Sequence, residues 1–192
     1  MTFDLSNAGY DVVVGTRYQL PAGGYVCKIV RSIETKSKQG GTMIVLHLDI
    51  AEGKFAGYFA RQRDWLRKYN PVIDWPSNGK CFQPVFDRTG KNINYFFVQM
   101  LEAVRKSNPD FAFNPKAFDP ETLTGKFIGY VFGVDYYKRK DGTNVATVKP
   151  KYAYPVNDIR AGRFKIPETP PAPPVEDYTF GKVPVNDEDV PF

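Results

Sequence analysis

Alternation of apolar and polar side chains is clearest over residues 44–50 of the chain. One set of alternate positions is wholly apolar and the other is mixed: Ile44, Leu46, Leu48 and Ile50 against Val45, His47 and Asp49. A period of two puts alternate side chains on opposite faces of a strand. The segment is therefore predicted to be a strand with one buried face and one mixed face.

Four further segments have strand character. Tyr25 to Glu34 precedes the clear strand, Gly57-Tyr58-Phe59-Ala60 is expected to start a third strand, and residues 126–138 and 144–154 are rich in aromatic and β-branched residues. Turn-forming residues at 35–42 and 138–143 predict two hairpin loops, and both loops carry lysines.

Helical periodicity is evident once, between the third and fourth predicted strands. Apolar residues recur there at spacings of three and four, at Ile93, Phe96, Phe97, Met100, Leu101 and Val104. Asn92 is the expected N-cap, and Pro109 is expected to stop the helix. The apolar stripe is predicted to pack against the sheet.

This order of elements predicts a mainly β protein. It is the order of an OB-fold, a five-stranded Greek-key barrel, here with one main α-helix between strands 3 and 4. In that fold the face of strands 2 and 3 and the loops after strands 1 and 4 bind oligonucleotides. The two lysine-bearing hairpins, 35–42 and 138–143, would be those loops.

Charge divides the chain into a basic body and an acidic tail. The 192 residues carry a formal net charge of +5. Residues 167–192 contain six acids and one base, whereas the residues before them hold 25 of the 26 Lys and Arg and 15 of the 21 Asp and Glu. The expected organisation is a domain over 1–166, a Pro-rich flexible linker over 167–186 and an acidic tip over 187–192, the last two forming a disordered C-terminal tail.

Cations interleaved with aromatic rings indicate contact with nucleic acid, because cations meet phosphates while rings stack on bases. His47 is expected to face solvent, with base stacking as the alternative, and Trp75 suits the core and a binding site equally. The predicted DNA-binding residues are Lys36, Lys38, Tyr58, Arg61, Arg63, Trp65, Tyr136, Tyr137, Lys138, Arg139, Lys140, Lys149, Lys151 and Tyr152.

Motifs for catalysis, cofactors and metals are missing from the sequence. It has no phosphate-binding glycine loop, no CxxC pair and a single His. Glu52-Gly53-Lys54 has the acid-x-Lys spacing of a metal-dependent nuclease, and Glu34 is the only candidate for the upstream acid that such a site needs. A charged turn between strands is the expected interpretation. Neither a signal peptide nor a membrane span is predicted, so a cytoplasmic protein without cofactor or membrane contact is expected.

The last six residues, Asp187, Glu188, Asp189, Val190, Pro191 and Phe192, resemble the C-terminal tip of bacterial single-stranded DNA-binding proteins. The resemblance implies that this tip docks on replication and repair enzymes. Pro191 and Phe192 would then fill an apolar pocket on the partner, and the three acids would meet its basic rim.

The body resembles the OB-fold single-stranded DNA-binding proteins encoded by bacteriophages. The matching stretches are Leu20-Pro21-Ala22-Gly23-Gly24-Tyr25, Lys36-Ser37-Lys38-Gln39-Gly40, Leu48-Asp49-Ile50 with Gly53 and Gly57, and the hairpin from Tyr136 to Gly142. The resemblance implies a non-catalytic accessory protein of replication, recombination or repair in an infected bacterial cell.

The function expected from the sequence is therefore the coating of single-stranded DNA with little sequence preference. The expected partners are single-stranded DNA and, through residues 187–192, replication or recombination proteins of phage or host. The sequence leaves a homodimer open. Two alternatives remain at this point: an OB-like adaptor that binds only proteins, and a metal-dependent nuclease.

Overall fold

Five antiparallel strands form one sheet in the computed structural model, which describes residues 20–138 and 143–173. The strands are β1 (Gly23–Lys36), β2 (Thr42–Ile50), β3 (Lys80–Pro84), β4 (Phe127–Lys138) and β5 (Asn144–Tyr154). The helices are α1 (Tyr58–Arg67), α2 (Tyr95–Ser107) and the short α3 (Val156–Arg160), with 3₁₀ turns at Ser77–Gly79 and Pro120–Leu123.

The strand order is β3-β2-β1-β4-β5. The first four strands thus have the spatial arrangement of a Greek key, in which the fourth strand returns by a long connection to lie beside the first. Strand β5 then pairs with β4 as a hairpin. Strands β3 and β5 contact each other, but no pairing joins them among the described residues, so the sheet is open there. The predicted mainly β chain with a helix between strands 3 and 4 is confirmed.

The apolar face of β2 is the centre of the core, as its alternation predicts. Ile44, Leu46, Leu48 and Ile50 are almost completely buried in the core that also contains α2 residues such as Met100 and Val104. Cys27 and Cys81 lie in the same core as free thiols. Burial raises the pKa of Cys27 well above its usual value and that of Cys81 to about 11, so both stay protonated.

The segment predicted to start a third strand is the start of α1 instead. Gly57 has a positive φ of 72°, and the chain turns directly into the helix at Tyr58. Asp49 on β2 supplies the missing cap, because the N–H groups of Phe59 and Ala60 donate to its Oδ1 at 2.9 and 3.4 Å. The third strand is Lys80–Pro84. A cap contributed by a distant strand leaves no local sequence signal, which explains the wrong prediction.

Replacing Asp49 is expected to separate its capping role from its charge. Asp49→Ala should lower the free energy of unfolding by about 1–2 kcal/mol, since two helical N–H groups lose their acceptor. Burial raises the pKa of Asp49 despite those hydrogen bonds, so its stabilising contribution is full below the unfolded pKa and is lost as pH rises through the folded pKa.

Asp49→Asn keeps the acceptor without the buried charge. Its unfolding free energy should therefore increase relative to the wild type as pH rises from about 3 to 7. Urea unfolding of the three proteins across this range provides the measurement. Equal stability of the alanine variant and the wild type would contradict the capping role.

Helix α2 begins two residues later than predicted, with Asn94 and not Asn92 as its N-cap. The Asn94 side chain accepts from the Phe96 N–H at 2.9 Å. Phe97, Met100, Leu101 and Val104 are buried, as the periodicity predicts. Two other members of the stripe are not: Ile93 pairs with Phe86 in an isolated β-bridge before the helix, and Phe96 faces outward. The predicted stripe spans more residues than the buried face of the helix.

A C-terminal segment from α3 to Pro167 packs on glycines of β1 and β4. A Cβ atom added to Gly129 would lie 2.4 Å from Ile159, one on Gly24 would lie 2.5 Å from Phe164, and one on Gly133 would lie 2.6 Å from Pro167. Because these glycines have no Cβ atom, the segment can pack directly on the backbone of the sheet. The acidic tip and most of the predicted linker lie outside the described residues.

Candidate nucleic-acid interface

The face of β1, β2 and β3 opposite the core is called the outer face here. Strand register aligns its residues in rows of one residue per strand. The first row is basic, the second is apolar and the third is mixed: Arg31, His47 and Lys80; Ile33, Val45 and Phe82; Thr35, Met43 and Pro84. The outer face therefore combines cations with an exposed ring on neighbouring strands.

His47 is the middle residue of the basic row and lies between Arg31 and Lys80. It is only 2% exposed, which contradicts the predicted solvent-facing position. Its ring stacks on Trp75 at a centroid distance of 5.8 Å and an angle of 7°. Trp75 is itself buried and donates its indole N–H to the Leu48 carbonyl at 3.1 Å, so it belongs to the core. Burial lowers the pKa of His47, so its imidazole is neutral at pH 7.

Asp74 is the counter-charge of this row. It precedes Trp75, and its carboxylate lies 3.6 Å from Arg31 Nη1, 3.5 Å from His47 Nε2 and 4.0 Å from Lys80 Nζ. The Arg31 and Asp74 side chains are about half exposed, and distances of this length are those of loose ion pairs. An incoming anion can therefore compete with Asp74 for both cations.

Exposed apolar side chains follow the line of β3. Phe82 is 55% exposed on the outer face. The Val85 N–H donates to the Thr42 carbonyl at 3.1 Å, which extends the strand line to Phe86. Phe86 is 41% exposed and pairs with Ile93, which is also exposed. Phe82 and Phe86 thus present ring surface to solvent at the edge of the outer face.

Four cations lie at the end of the sheet where β1 ends and β2 begins. Lys36 is the last residue of β1, Lys38 lies in the β1–β2 loop, and Arg88 and Lys91 come from the turn after β3; all four are exposed. The pairing of Met43 with Pro84 brings the two loops to this same end. Asp87 is the acid of that turn, and hydrogen bonds from Thr89 and Asn92 lower its pKa to about 2.

The predicted residues of α1 serve mainly structural contacts. Tyr58 is half-buried, packs on Phe55 and Phe59, and accepts a hydrogen bond from the Leu20 N–H at 3.2 Å. Burial raises its pKa. The Arg61 guanidinium donates to the Ala56 carbonyl, Arg63 lies over the Trp75 ring and pairs with Asp64, and the exposed Trp65 packs on Tyr69. Tyr58 therefore packs against the core.

The predicted residues of the β4–β5 ribbon form a separate group. Tyr137 and Lys138 are exposed near the hairpin tip, and Tyr136 is half-buried. Lys149 and Lys151 both pair with Asp135, at 3.6 and 3.4 Å. Although partial burial opposes it, these two lysines lower the pKa of Asp135. Tyr152 packs against Phe96 of α2. Arg139 and Lys140 lie outside the described residues.

Six residues of the outer face and its loop end were not among the predicted site residues. Residues 61–91 do alternate cations with aromatic rings, but without the position of β3 this pattern cannot be assigned to a face. Arg31 is one of several charged residues on β1. Only its pairing with His47 of β2 identifies it as a residue of the outer face. The six are Arg31, Lys80, Phe82, Phe86, Arg88 and Lys91.

The acid-x-Lys sequence at Glu52-Gly53-Lys54 is a charged turn with a structural partner. Glu52 pairs with Arg160 of α3, and this hydrogen bond lowers the pKa of Glu52. Among residues 20–138 and 143–173, no group of three or more His, Cys, Asp or Glu side chains could hold a metal ion. Within the same ranges, no helix is long and apolar enough to span a membrane.

Comparison of the chain with protein-family models gives no match, and comparison with curated proteins gives none either. The residues and geometry of the interface are therefore the basis for assigning a function.

Proposed function

We propose that the protein binds single-stranded DNA on the outer face and coats it with little sequence preference. The observation that carries the proposal is the combination of exposed rings and cations on adjacent strands and loops. Phe82 and Phe86 offer stacking surfaces, and Arg31 and Lys80 form the row of the outer face next to that of Phe82. Stacking on aromatic rings is independent of base identity, and cations track the phosphates.

The strand order supports an OB-fold as the architecture. A partly open five-stranded Greek-key barrel of this kind binds oligonucleotides on strands 2 and 3 and on the loops after strands 1 and 4. The outer face includes β2 and β3, Lys36 ends β1, and Lys38 lies in the loop that follows. Closure of the sheet between β3 and β5 is part of this proposal.

The biological role proposed is that of a non-catalytic accessory protein of phage replication, recombination or repair, acting in the cytoplasm of an infected bacterium. The acidic tip, residues 187–192, would recruit replication or recombination enzymes through its Val-Pro-Phe end. The acidic and apolar composition of this tip at the end of a Pro-rich segment supports the role.

A gel-shift titration of a labelled oligothymidylate tests the proposal. The full-length protein should shift the oligonucleotide, and an excess of unlabelled duplex should compete poorly, because paired bases cannot stack on Phe82 and Phe86. Absence of a shift would refute the proposal and favour an adaptor that binds only proteins. Cleavage of the oligonucleotide in the presence of magnesium would instead indicate a nuclease.

Neutralising Asp74 is expected to strengthen DNA binding. In Asp74→Asn, Arg31 and Lys80 lose their counter-charge and become available to a phosphate. We expect affinity for oligothymidylate to rise about tenfold near 50 mM salt, with a steeper salt dependence by roughly 0.7 per phosphate gained. Fluorescence anisotropy over a salt series provides the measurement.

Asp110→Asn is the matched control for this experiment, since it changes the net charge by the same amount on the exposed connector after α2. It should leave the affinity within about twofold, as a distant surface charge is screened. Equal strengthening by both variants would show that only net charge matters and would contradict a specific role for Asp74.

Removing the tip is expected to strengthen DNA binding at low salt. Residues 167–192 carry six acids and one base, against a body with an excess of cations, so the tail competes with DNA for that body. Deletion of residues 187–192 should raise the affinity several-fold near 50 mM salt and have little effect near 300 mM, where charges are screened. An unchanged or weaker affinity at low salt would count against this competition.

A further inference from the structure

Two aromatic rings at the start of α2 point into solvent. Tyr95 is 74% exposed and Phe96 is 51% exposed, whereas the next residue, Phe97, is buried. The outward-facing positions later in α2 include Glu102 and Arg105, which form an ordinary surface ion pair. The exposed rings are therefore confined to the first turn of the helix. Adjacent exposed rings of this kind mark a binding surface.

A third ring joins them from the sheet. Tyr152 of β5, one of the predicted DNA-binding residues, is partly exposed and has its centroid 6.4 Å from that of Phe96. Phe96 and Tyr95 are 5.7 Å apart in an edge-to-face arrangement. We call Tyr95, Phe96 and Tyr152 the α2–β5 ring cluster. It spans the open edge of the sheet, because α2 contacts both β3 and β5.

The ring cluster is continuous with the outer face. Ile93 pairs with Phe86, and the Asn94 N–H donates to the Val85 carbonyl at 2.9 Å. Tyr95 follows directly, so only Asn94 separates it from the exposed Ile93. A strand of nucleotides that leaves the outer face past Phe86 therefore meets the ring cluster next.

Charge around the ring cluster favours a polyanion. No acid lies in the first turn of α2, where the helix dipole is positive. Lys149 and Lys151 precede Tyr152 on β5, and both pair with the carboxylate of Asp135. A second copy of the chain that docked symmetrically on the cluster would place the same lysines of both copies close together. Repulsion between these like charges disfavours such a dimer. Rings beside cations instead match bases joined by phosphates.

We propose that the α2–β5 ring cluster is a second stacking surface for single-stranded DNA, which extends the path of the strand from β3 around the start of α2 to β5. The inference rests on the proposed function, because it adds nucleotides to the same bound strand. It predicts that short oligonucleotides fill the outer face alone, whereas longer ones contact both surfaces.

The test compares oligothymidylates of about 8, 16 and 32 nucleotides, which run from within the site size of one OB-fold to about twice its upper limit. In Tyr95→Ser/Phe96→Ser, affinity for the shortest oligonucleotide should stay within about twofold of the wild type, and affinity for the longest should fall about tenfold or more. Val98→Ser is the matched control, since Val98 is exposed on the same helix. It should leave binding at every length unchanged.

A second variant gives a readout that reduced stability cannot imitate. In Tyr95→Trp, the added indole should be quenched by the longest oligonucleotide and not by the shortest, relative to the wild type with its own Trp65 and Trp75. Equal quenching at both lengths, or none at either, would overturn the proposal.

The remaining outcomes separate this inference from the proposed function. If the wild type binds every length and Tyr95→Ser/Phe96→Ser binds them equally well, the ring cluster is not a DNA surface. If that variant loses affinity equally at all lengths and becomes smaller by light scattering, the cluster is a self-association surface and the inference is wrong. If the wild type binds no oligonucleotide of any length, both proposals are wrong.

Discussion

Phe82→Ala/Phe86→Ala is expected to bind oligothymidylate at least about 30-fold more weakly than the wild type. Each aromatic ring that stacks on a base contributes about 1–3 kcal/mol, and both rings are exposed along the same strand line. The free energy of unfolding should change little, by about 0.5 kcal/mol, because neither ring belongs to the core. Anisotropy titrations together with urea unfolding measure the two quantities.

Phe127→Ala is the matched control for this loss of affinity. Phe127 is 42% exposed, nearly the same as the 41% of Phe86, but it lies at the start of β4 beside Asn108 at the end of α2. Its removal should leave the affinity within about twofold. Similar losses in this control and the double variant would mean that exposed rings act non-specifically, and the outer face would lose its special role.

Gly129→Ala is expected to cause a large loss of stability, about 3 kcal/mol or more. The added Cβ would lie 2.4 Å from Ile159 Cγ1 and 2.7 Å from the carbonyl oxygen of Tyr154. The Tyr154 carbonyl belongs to the backbone of the paired strand and cannot rotate away, so the end of β5, and α3 after it, must move away from β4. The melting temperature should fall by about 6–12 °C.

Gly23→Ala provides the comparison for that effect. Gly23 lies on β1 and pairs with β4 as Gly129 pairs with β5, but its added Cβ would meet only the Tyr25 ring at an ordinary distance of 3.7 Å. Its melting temperature should stay within a few degrees of the wild type. If both variants melt alike, close packing of α3 on Gly129 does not stabilise the fold.

Residue patterns predict β2 and α2 because each has a strong local period. Ile44 to Ile50 alternate, and Phe97 to Val104 recur at helical spacing, so hydrophobic burial alone identifies both elements. The start of α1 has no such period. Its cap comes from Asp49, eight residues before Gly57 on another element, and a contact of that kind is visible only after folding.

The candidate site shows the same limit. Lysines in hairpin loops can be predicted, because turn residues identify the loops. Whether a ring faces the core or solvent depends on register, however. Tyr58 and Phe82 are both aromatic residues among cations in the sequence, yet Tyr58 packs against the core and Phe82 faces outward. Arg31 and Lys80 share Asp74 as their counter-charge only because the pairing of β1, β2 and β3 brings the two cations into one row.

The salt dependence of oligothymidylate binding by the full-length protein tests the central claim most directly. About five phosphate contacts on the outer face and its loops predict a slope of log affinity against log salt of roughly −3.5. Affinity should then fall about 100-fold between about 50 and 200 mM salt, with duplex DNA competing poorly throughout. A slope near zero, or duplex that competes as well as the single strand, would contradict binding of single-stranded DNA by the outer face.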